Sequence, residues 1–120
     1  MLYKKNQTSY LDPKLFQNPT SEYRGTPFWA WNCKVSKEDV DRTLNALKKM
    51  GMGGAHIHSR TGMDLPYLGK EFMEMVHYSH EKSNELGMIT WPYDQDRSPS
   101  AYAGGLVTHA PAFRPRFLVF

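Results

Sequence analysis

Residues 91–105 read WPYDQDRSPSAYAGG, and this stretch decides how the rest of the chain is interpreted. An apolar run is followed by aspartates, an arginine, a proline and two glycines, which is the pattern of a strand that ends in a polar loop. In α/β proteins such loops carry substrate-binding groups, because the strands hold them rigidly while the loops vary. PFWAWN (27–32) and GAHIHSR (54–60) have the same construction. We therefore expect three polar strand ends to meet at one mouth.

Two helices are predicted between these three runs. Ser36 can cap the first helix, with Asp39 in the place of the usual capping-box Glu, and Gly51 is placed to end it. Its apolar stripe consists of Val40, Leu44, Leu47 and Met50. The second helix should cover about residues 70–86, with Gly87 as its C-cap. Its stripe is apolar at the ends and small in the middle: Phe72, Val76, Ser79, Ser83 and Leu86.

The resulting order is strand, helix, strand, helix, strand, with predicted strands at 27–32, 55–58 and 88–93. The starts of these runs lie 28 and 33 residues apart, a spacing that suits βα units with parallel strands. Parallel strands joined by right-handed crossovers place their carboxyl ends on one side. Pro92 must then lie at a strand end or on an unpaired side. Residues 1–25 are interpreted as an irregular lead-in segment, and 118–120 as the start of a further strand.

Two architectures accept three such strands: an open doubly wound sheet and a (β/α)8, or TIM, barrel. An open nucleotide-binding sheet favours a glycine-rich turn after strand 1, and WNCKVSKED contains no glycine. A complete barrel needs about 250 residues, and this chain has 120. We therefore expect an α/β fold in which residues 26–120 form a partial (β/α)8 barrel of about three βα units.

Composition limits the classes of protein that remain. The formal charge is +3, but Lys and Arg are spread along the chain without a basic block, which argues against nucleic-acid binding. No window of sequence has the length and apolarity of a signal peptide or a membrane span. Cys33 is the only cysteine, so no intrachain disulfide can form, and a cytoplasmic location is expected. The unpaired strand edges of a partial barrel predict self-association.

Several separated motifs resemble the opening of the catalytic barrel in glycoside hydrolase family 106, the α-L-rhamnosidases and their relatives. They are NPTSEYRGTPFWAWN (18–32), KKMGMGGAHIHSRTG (48–62), PYL (66–68) and ELGMITWPYDQDRSPSAYAGG (85–105), in the order found in the family. The resemblance implies a barrel that hydrolyses a terminal rhamnoside with inversion. It also implies a calcium ion at the sugar site, and a carbohydrate as the partner.

The resemblance further implies which residues line the first part of the sugar pocket. Carried over by position, they are Trp31 and Asn32 after strand 1, His58 and Arg60 after strand 2, and Tyr93, Asp94, Asp96 and Arg97 after strand 3. This chain departs from the family at Gln95, where relatives usually have Glu, at Ser98, where they have Trp, and at Ala101, where they have Gly. The relatives also tend to have an apolar residue at His56. These departures bear on whether the chain binds the family's usual substrate.

The residues themselves leave the catalytic groups unknown. Inverting glycosidases need two carboxyl groups about 6.5 to 9.5 Å apart. Asp94 and Asp96 are both carboxylates near one strand end, but in barrel glycosidases the catalytic pair usually comes from later strands. We expect the two aspartates to bind sugar or metal, or to pair with Arg97, and we expect the chain to be inactive alone. Trp31, nearest the loop on its strand, is the best candidate for stacking on a sugar.

Two other hypotheses remain open at this point. His56 and His58 alternate with apolar residues on one strand, an arrangement that metal-dependent hydrolases use, although a transition-metal site needs further ligands. Alternatively, the chain is a non-catalytic remnant or an interaction module that keeps part of the fold without hydrolysis.

Overall fold

The computed structural model describes residues 8–97, 103–114, 116 and 118–119. The protein is a mixed α/β structure built on a three-stranded parallel sheet with helices. In chain order, its regular elements are α1 (Pro13–Gln17), β1 (Phe28–Trp31), α2 (Lys37–Lys49), β2 (Gly54–Ser59), α3 (Lys70–Glu85) and β3 (Ile89–Asp96). Short 3-10 turns occupy Ser21–Tyr23, Ala103–Gly105 and Pro111–Phe113.

The strands lie in the order β1-β2-β3, and both neighbouring pairs are parallel. The predicted alternation of strands and helices is therefore confirmed, and so is the meeting of the strand carboxyl ends at one edge of the sheet. At that edge Trp31 of β1 is paired in register with Ser59 of β2, which is paired with Asp96 of β3. We call these three residues the terminal row.

The third strand is longer than the sequence predicted, because it continues beyond Tyr93 to Asp96. Its pairing with β2 is irregular there: Ile57 is opposite Pro92 and Ser59 is opposite Asp96, so β3 uses more residues than β2 over the same span. An insertion of this kind bends a strand and re-aims its side chains. Residues 94–96, which the sequence pattern assigned to a loop, are therefore held by the sheet.

Pro92 lies where the sequence argument required it to lie. Ile89 donates its backbone N–H to Gly53 O at 2.8 Å, so Ile89 directs its backbone toward β2. The backbone N–H and C=O groups of successive residues point alternately to the two sides of a strand. The backbone of Pro92 therefore points away from β2, toward the outer edge of β3 in the described sheet. A proline is tolerated on such an edge, because its missing N–H removes only one donor there.

Both long helices pack on the same face of the sheet and form the core with it. Val40 and Leu44 of α2 are fully buried, as the apolar stripe predicted, and Leu47 packs partly against the core. Met50 is the exception: it is the C-cap residue of α2 and its side chain is exposed, because the helix ends before the stripe reaches it. Trp31, Ile57, Phe72 and Met88 complete the centre of this core. The opposite face of the sheet carries no helix in the described residues.

The ends of α2 follow the sequence signals. Asp39 donates its backbone N–H to the Ser36 hydroxyl at 3.2 Å, and its carboxylate accepts the Ser36 backbone N–H at 3.3 Å, which completes a capping box. The Ser36 hydroxyl also donates to the Asp39 carboxylate at 2.8 Å, and this bond, followed by the one from the Ser36 backbone N–H, holds the pKa of Asp39 below its ordinary value. Beyond the helix, Gly51 adopts the left-handed backbone that favours glycine.

The lead-in segment covers the amino-terminal end of the sheet, away from the terminal row. Arg24 anchors it by donating to Pro19 O at 2.6 Å, to Asn18 Oδ1 at 2.8 Å and to Gly51 O at 3.2 Å. The backbone N–H of Gly53 donates to Gly25 O at 2.9 Å. A Cβ atom at Gly53 would lie 2.0 Å from Ser21 O, so this contact requires glycine.

Gly53→Ala should therefore destabilise the protein, because backbone atoms on both sides must move apart. We expect a loss of about 1–3 kcal/mol in the free energy of unfolding, the usual cost of overpacking, measured by urea denaturation. Gly25→Ala is the matched control, because its new Cβ would meet only the flexible Met52 side chain at 3.4 Å. Equal stability of the Gly53→Ala variant and the unsubstituted protein would contradict the described docking of the lead-in segment.

Candidate functional site

The sheet face opposite the helices carries a row of aromatic rings and imidazoles. His58 lies between Phe28 and Tyr93, with ring centroids 4.8 Å and 4.7 Å away. One layer nearer the amino-terminal end, His56 stacks on Trp91 with centroids 4.9 Å apart and planes 12° from parallel. We call these five residues the aromatic–histidine face. It joins all three strands, because Phe28 belongs to β1, both histidines to β2, and Trp91 and Tyr93 to β3.

This face combines a buried polar group with exposed rings. His58 is 3% exposed, whereas Phe28 and Tyr93 are 54% and 46% exposed. Aromatic rings offer a flat apolar surface, and an imidazole beside them offers a directional hydrogen bond. Such an arrangement suits a ligand with one apolar face and several hydroxyl groups.

The hydrogen bonds of His58 determine what its ring can do. Nδ1 lies 2.6 Å from the Ser59 carbonyl oxygen, which only accepts, so Nδ1 carries a proton. Nε2 lies 3.4 Å from Gln95 Oε1. With the proton on Nδ1, Nε2 of the neutral ring is an acceptor near the carboxyl end of the sheet.

Asp96 lies on the other side of the sheet from His58, at the end of the terminal row. Its side chain is 0% exposed. Oδ1 accepts the Ser59 hydroxyl at 2.9 Å and lies 3.5 Å from Arg97 Nε, whereas Oδ2 has no hydrogen-bond partner within the described part of the chain. Asp94, in contrast, is exposed to solvent. The two aspartates therefore occupy different environments although they are two positions apart.

Tyr67 also lies near Asp96, although it was not among the site residues predicted from the sequence. Burial raises the pKa of its hydroxyl, and the negative charges of Asp96 and Asp94 raise the pKa further. Gly104 lies over both groups: a Cβ there would be 3.3 Å from Tyr67 Cβ and 3.8 Å from Asp96 Oδ2. The sequence signals were the PYL motif (66–68), of which Tyr67 is the middle residue, and its position in the loop after β2.

The remaining residues from the sequence analysis are distributed between core and surface. Trp31 is 1% exposed and packs edge-on against Phe72 at 5.8 Å, so its ring belongs to the core. Its indole Nε1 is buried without a hydrogen-bond partner among the described residues. Asn32 and Arg60 are exposed at the ends of their strands. Arg97 is half-buried, with a left-handed backbone (φ 61°). Ser98 and Ala101 lie outside the described residues.

The structure gives little support for a bound metal. Over residues 8–97 and the described positions after them, no three His, Cys, Asp or Glu side chains are arranged to hold an ion. His56 and His58 do share one face, as their alternation predicted, but His56 Nδ1 is directed to Thr26 O at 3.2 Å and His58 Nδ1 to Ser59 O. The described His, Cys, Asp and Glu side chains therefore do not by themselves form the ligand set of a metal ion.

The comparisons with known proteins leave the family open. Neither the scan against protein-family models nor the search of curated proteins found a match. In the described part of the chain, no helix has the length and apolarity needed to cross a membrane.

The environment of Tyr67 gives a direct test of the site geometry. Asp96→Asn should lower the pKa of Tyr67, because it removes the charge that raises this pKa more than Asp94 does, but the pKa should stay above the ordinary value because burial is its main cause. The measurement is a pH titration of the tyrosine ring carbons by NMR, with Tyr67→Phe to assign the signal. Asp64→Asn, an exposed substitution in the same loop, should leave the pKa unchanged. An unchanged Tyr67 titration in Asp96→Asn would show that the two groups do not interact.

Proposed function

We propose that this chain supplies the first three βα units of a barrel glycosidase resembling the α-L-rhamnosidases, and that it binds the sugar without cleaving it. The observation that carries the proposal is the aromatic–histidine face, which covers the side of the sheet away from the helices and reaches the carboxyl end of the central strand at His58. In barrel enzymes this end of the strands is where substrate binds. A partial barrel would present as an open surface the face that a closed barrel turns inward.

The chemistry of the face supports a sugar more than other small ligands. The ring of Tyr93 and the exposed part of Phe28 offer apolar surface to the C–H groups of a sugar. His58 Nε2 and the Gln95 amide add hydrogen-bonding groups between the rings. Polyol ligands combine these two needs, because their rings have C–H faces and their hydroxyl groups both donate and accept.

The terminal row and the residue after it also contain polar atoms whose hydrogen-bonding capacity is not used within the described residues. Trp31 Nε1, Asp96 Oδ2 and Arg97 Nε are buried without hydrogen-bond partners in the described residues. Buried polar groups in folded proteins are nearly always paired.

The proposal includes inactivity of the chain alone. Inversion requires one carboxylic acid and one carboxylate on opposite sides of the bond that is cleaved. Asp96 is enclosed beside Ser59 and Asp94 is open to solvent, so they do not form such a pair across the aromatic–histidine face. The cleavage carboxylates would come from later strands of the proposed barrel. A cytoplasmic location and the absence of a nucleic-acid partner remain parts of the proposal.

Sugar binding is testable on the chain as it is. Saturation-transfer NMR with L-rhamnose should give a signal, and Tyr93→Ala should reduce it by about tenfold or more, because a stacked aromatic ring is a main contact. Tyr10→Ala is the matched control, since Tyr10 is also exposed but lies in the lead-in segment. Aryl rhamnosides should not be hydrolysed. Absence of a transfer signal, or an equal signal in the Tyr93→Ala variant, would contradict the proposal. Hydrolysis of a rhamnoside would contradict the proposed inactivity of the chain alone.

The interaction module is the second candidate, and one observation favours it. The outer edges of β1 and β3 have no partner strand in the described sheet, and exposed apolar side chains lie beside them, including Phe28 and Met73. Such edges favour association with another chain. Sedimentation analysis separates the candidates: stable self-association without sugar binding favours the interaction module, and a sugar-binding monomer favours the glycosidase proposal.

A further inference from the structure

Ser59 contacts both sides of the candidate site, although it was not among the residues selected from the sequence. It is 2% exposed and lies at the carboxyl end of the central strand, between Trp31 and Asp96 in the terminal row. We propose that Ser59 is the positioning residue of the site: it orients the His58 ring toward the ligand and holds the end of β3 in place. The inference rests on the proposed function, because it concerns the same sugar site.

The carbonyl group of Ser59 accepts two hydrogen bonds that matter for the site. His58 Nδ1–H donates to it at 2.6 Å, and the backbone N–H of Arg97 donates to it at 3.2 Å. The first bond fixes the proton on Nδ1, so Nε2 of the neutral ring is left as an acceptor. The second bond fixes the point at which the chain leaves β3. One carbonyl therefore sets both the tautomer of His58 and the start of the loop after β3.

The hydroxyl group of Ser59 contacts β3 on the other face of the sheet. It lies 2.9 Å from Asp96 Oδ1 and 3.2 Å from Gln95 O, both of which accept. Asp96 is enclosed, and the only other polar contact described for its carboxylate is Arg97 Nε at 3.5 Å. Removing the hydroxyl would leave a buried carboxylate without its best donor, which is costly. The end of β3, with Gln95, would then have to shift.

The irregular pairing explains why one residue has this much influence. Between Ile57 and Ser59 the regular register of β2 and β3 is lost, so side-chain bonds replace part of the backbone ladder. Ser59 supplies those bonds at the point where the ladder resumes opposite Asp96. Gln95 reaches His58 on one face, and Asp96 reaches Ser59 on the other, only while β3 keeps this course.

The test compares two buried serines. Ser59→Ala keeps the carbonyl group and removes only the hydroxyl, so the end of β3 should shift; the amide shift of Arg97 and, through Gln95, the imidazole ¹⁵N shifts of His58 should change, and the affinity for L-rhamnose should fall by about tenfold. Ser59→Thr keeps the hydroxyl and should restore both. Ser79→Ala is the control, because Ser79 is equally buried but donates to Met75 O within α3 at 2.8 Å, away from the site. It should lower stability without changing His58 or sugar affinity.

The NMR result separates this inference from the proposed function. Unchanged His58 and Arg97 shifts in Ser59→Ala would overturn the positioning role, whatever the sugar does. Changed shifts in a protein that never binds rhamnose would support the positioning role and contradict the sugar proposal. If Ser59→Ala does not fold, Ser59→Cys carries the same test, because a thiol preserves the shape but is a weak donor. Its His58 shifts should change in the same direction.

Discussion

The parallel pairing of β2 with a strand on each side is the constraint on which the rest of the structure depends. Because both pairs are parallel, two helical connections must return the chain to the same end of the sheet, and all three polar strand ends lie together at the other. Both helices cover one face, where Ile57 of β2 contacts the core. The other face carries the aromatic and histidine side chains. The parallel pairing therefore determines both the fold and the position of the candidate site.

The site is shaped by the end of β2 more than by any charged residue. Side chains of β2 alternate, so His58 belongs to one face and Ser59 to the other, and both reach β3. This links the open aromatic–histidine face to the enclosed Asp96. The lead-in segment closes the opposite end of the sheet through Arg24.

The sequence allowed prediction of the fold to the level of strands, helices and their direction. Ser36, Asp39 and Gly51 marked the ends of α2 because capping chemistry is local, and the apolar stripe identified Val40 and Leu44 as core residues. The course of β3 beyond Tyr93 was not predictable, because its irregular pairing with β2 depends on long-range contacts. The same reason explains why Tyr67 and Ser59 were not selected from the sequence: their contacts in the site are with residues about 30 or more positions away. The same reason applies to Trp31. It is an aromatic residue of the kind that stacks on sugars, but its ring faces the helices.

The most direct test of the account is a crystal structure of the protein soaked with L-rhamnose. We expect the sugar to lie against Tyr93 and Phe28, with one of its hydroxyl groups within hydrogen-bond distance of His58 Nε2. The contact between His58 Nδ1 and Ser59 O should be preserved. A sugar bound elsewhere on the molecule, or no sugar on the aromatic–histidine face at saturating concentration, would contradict it.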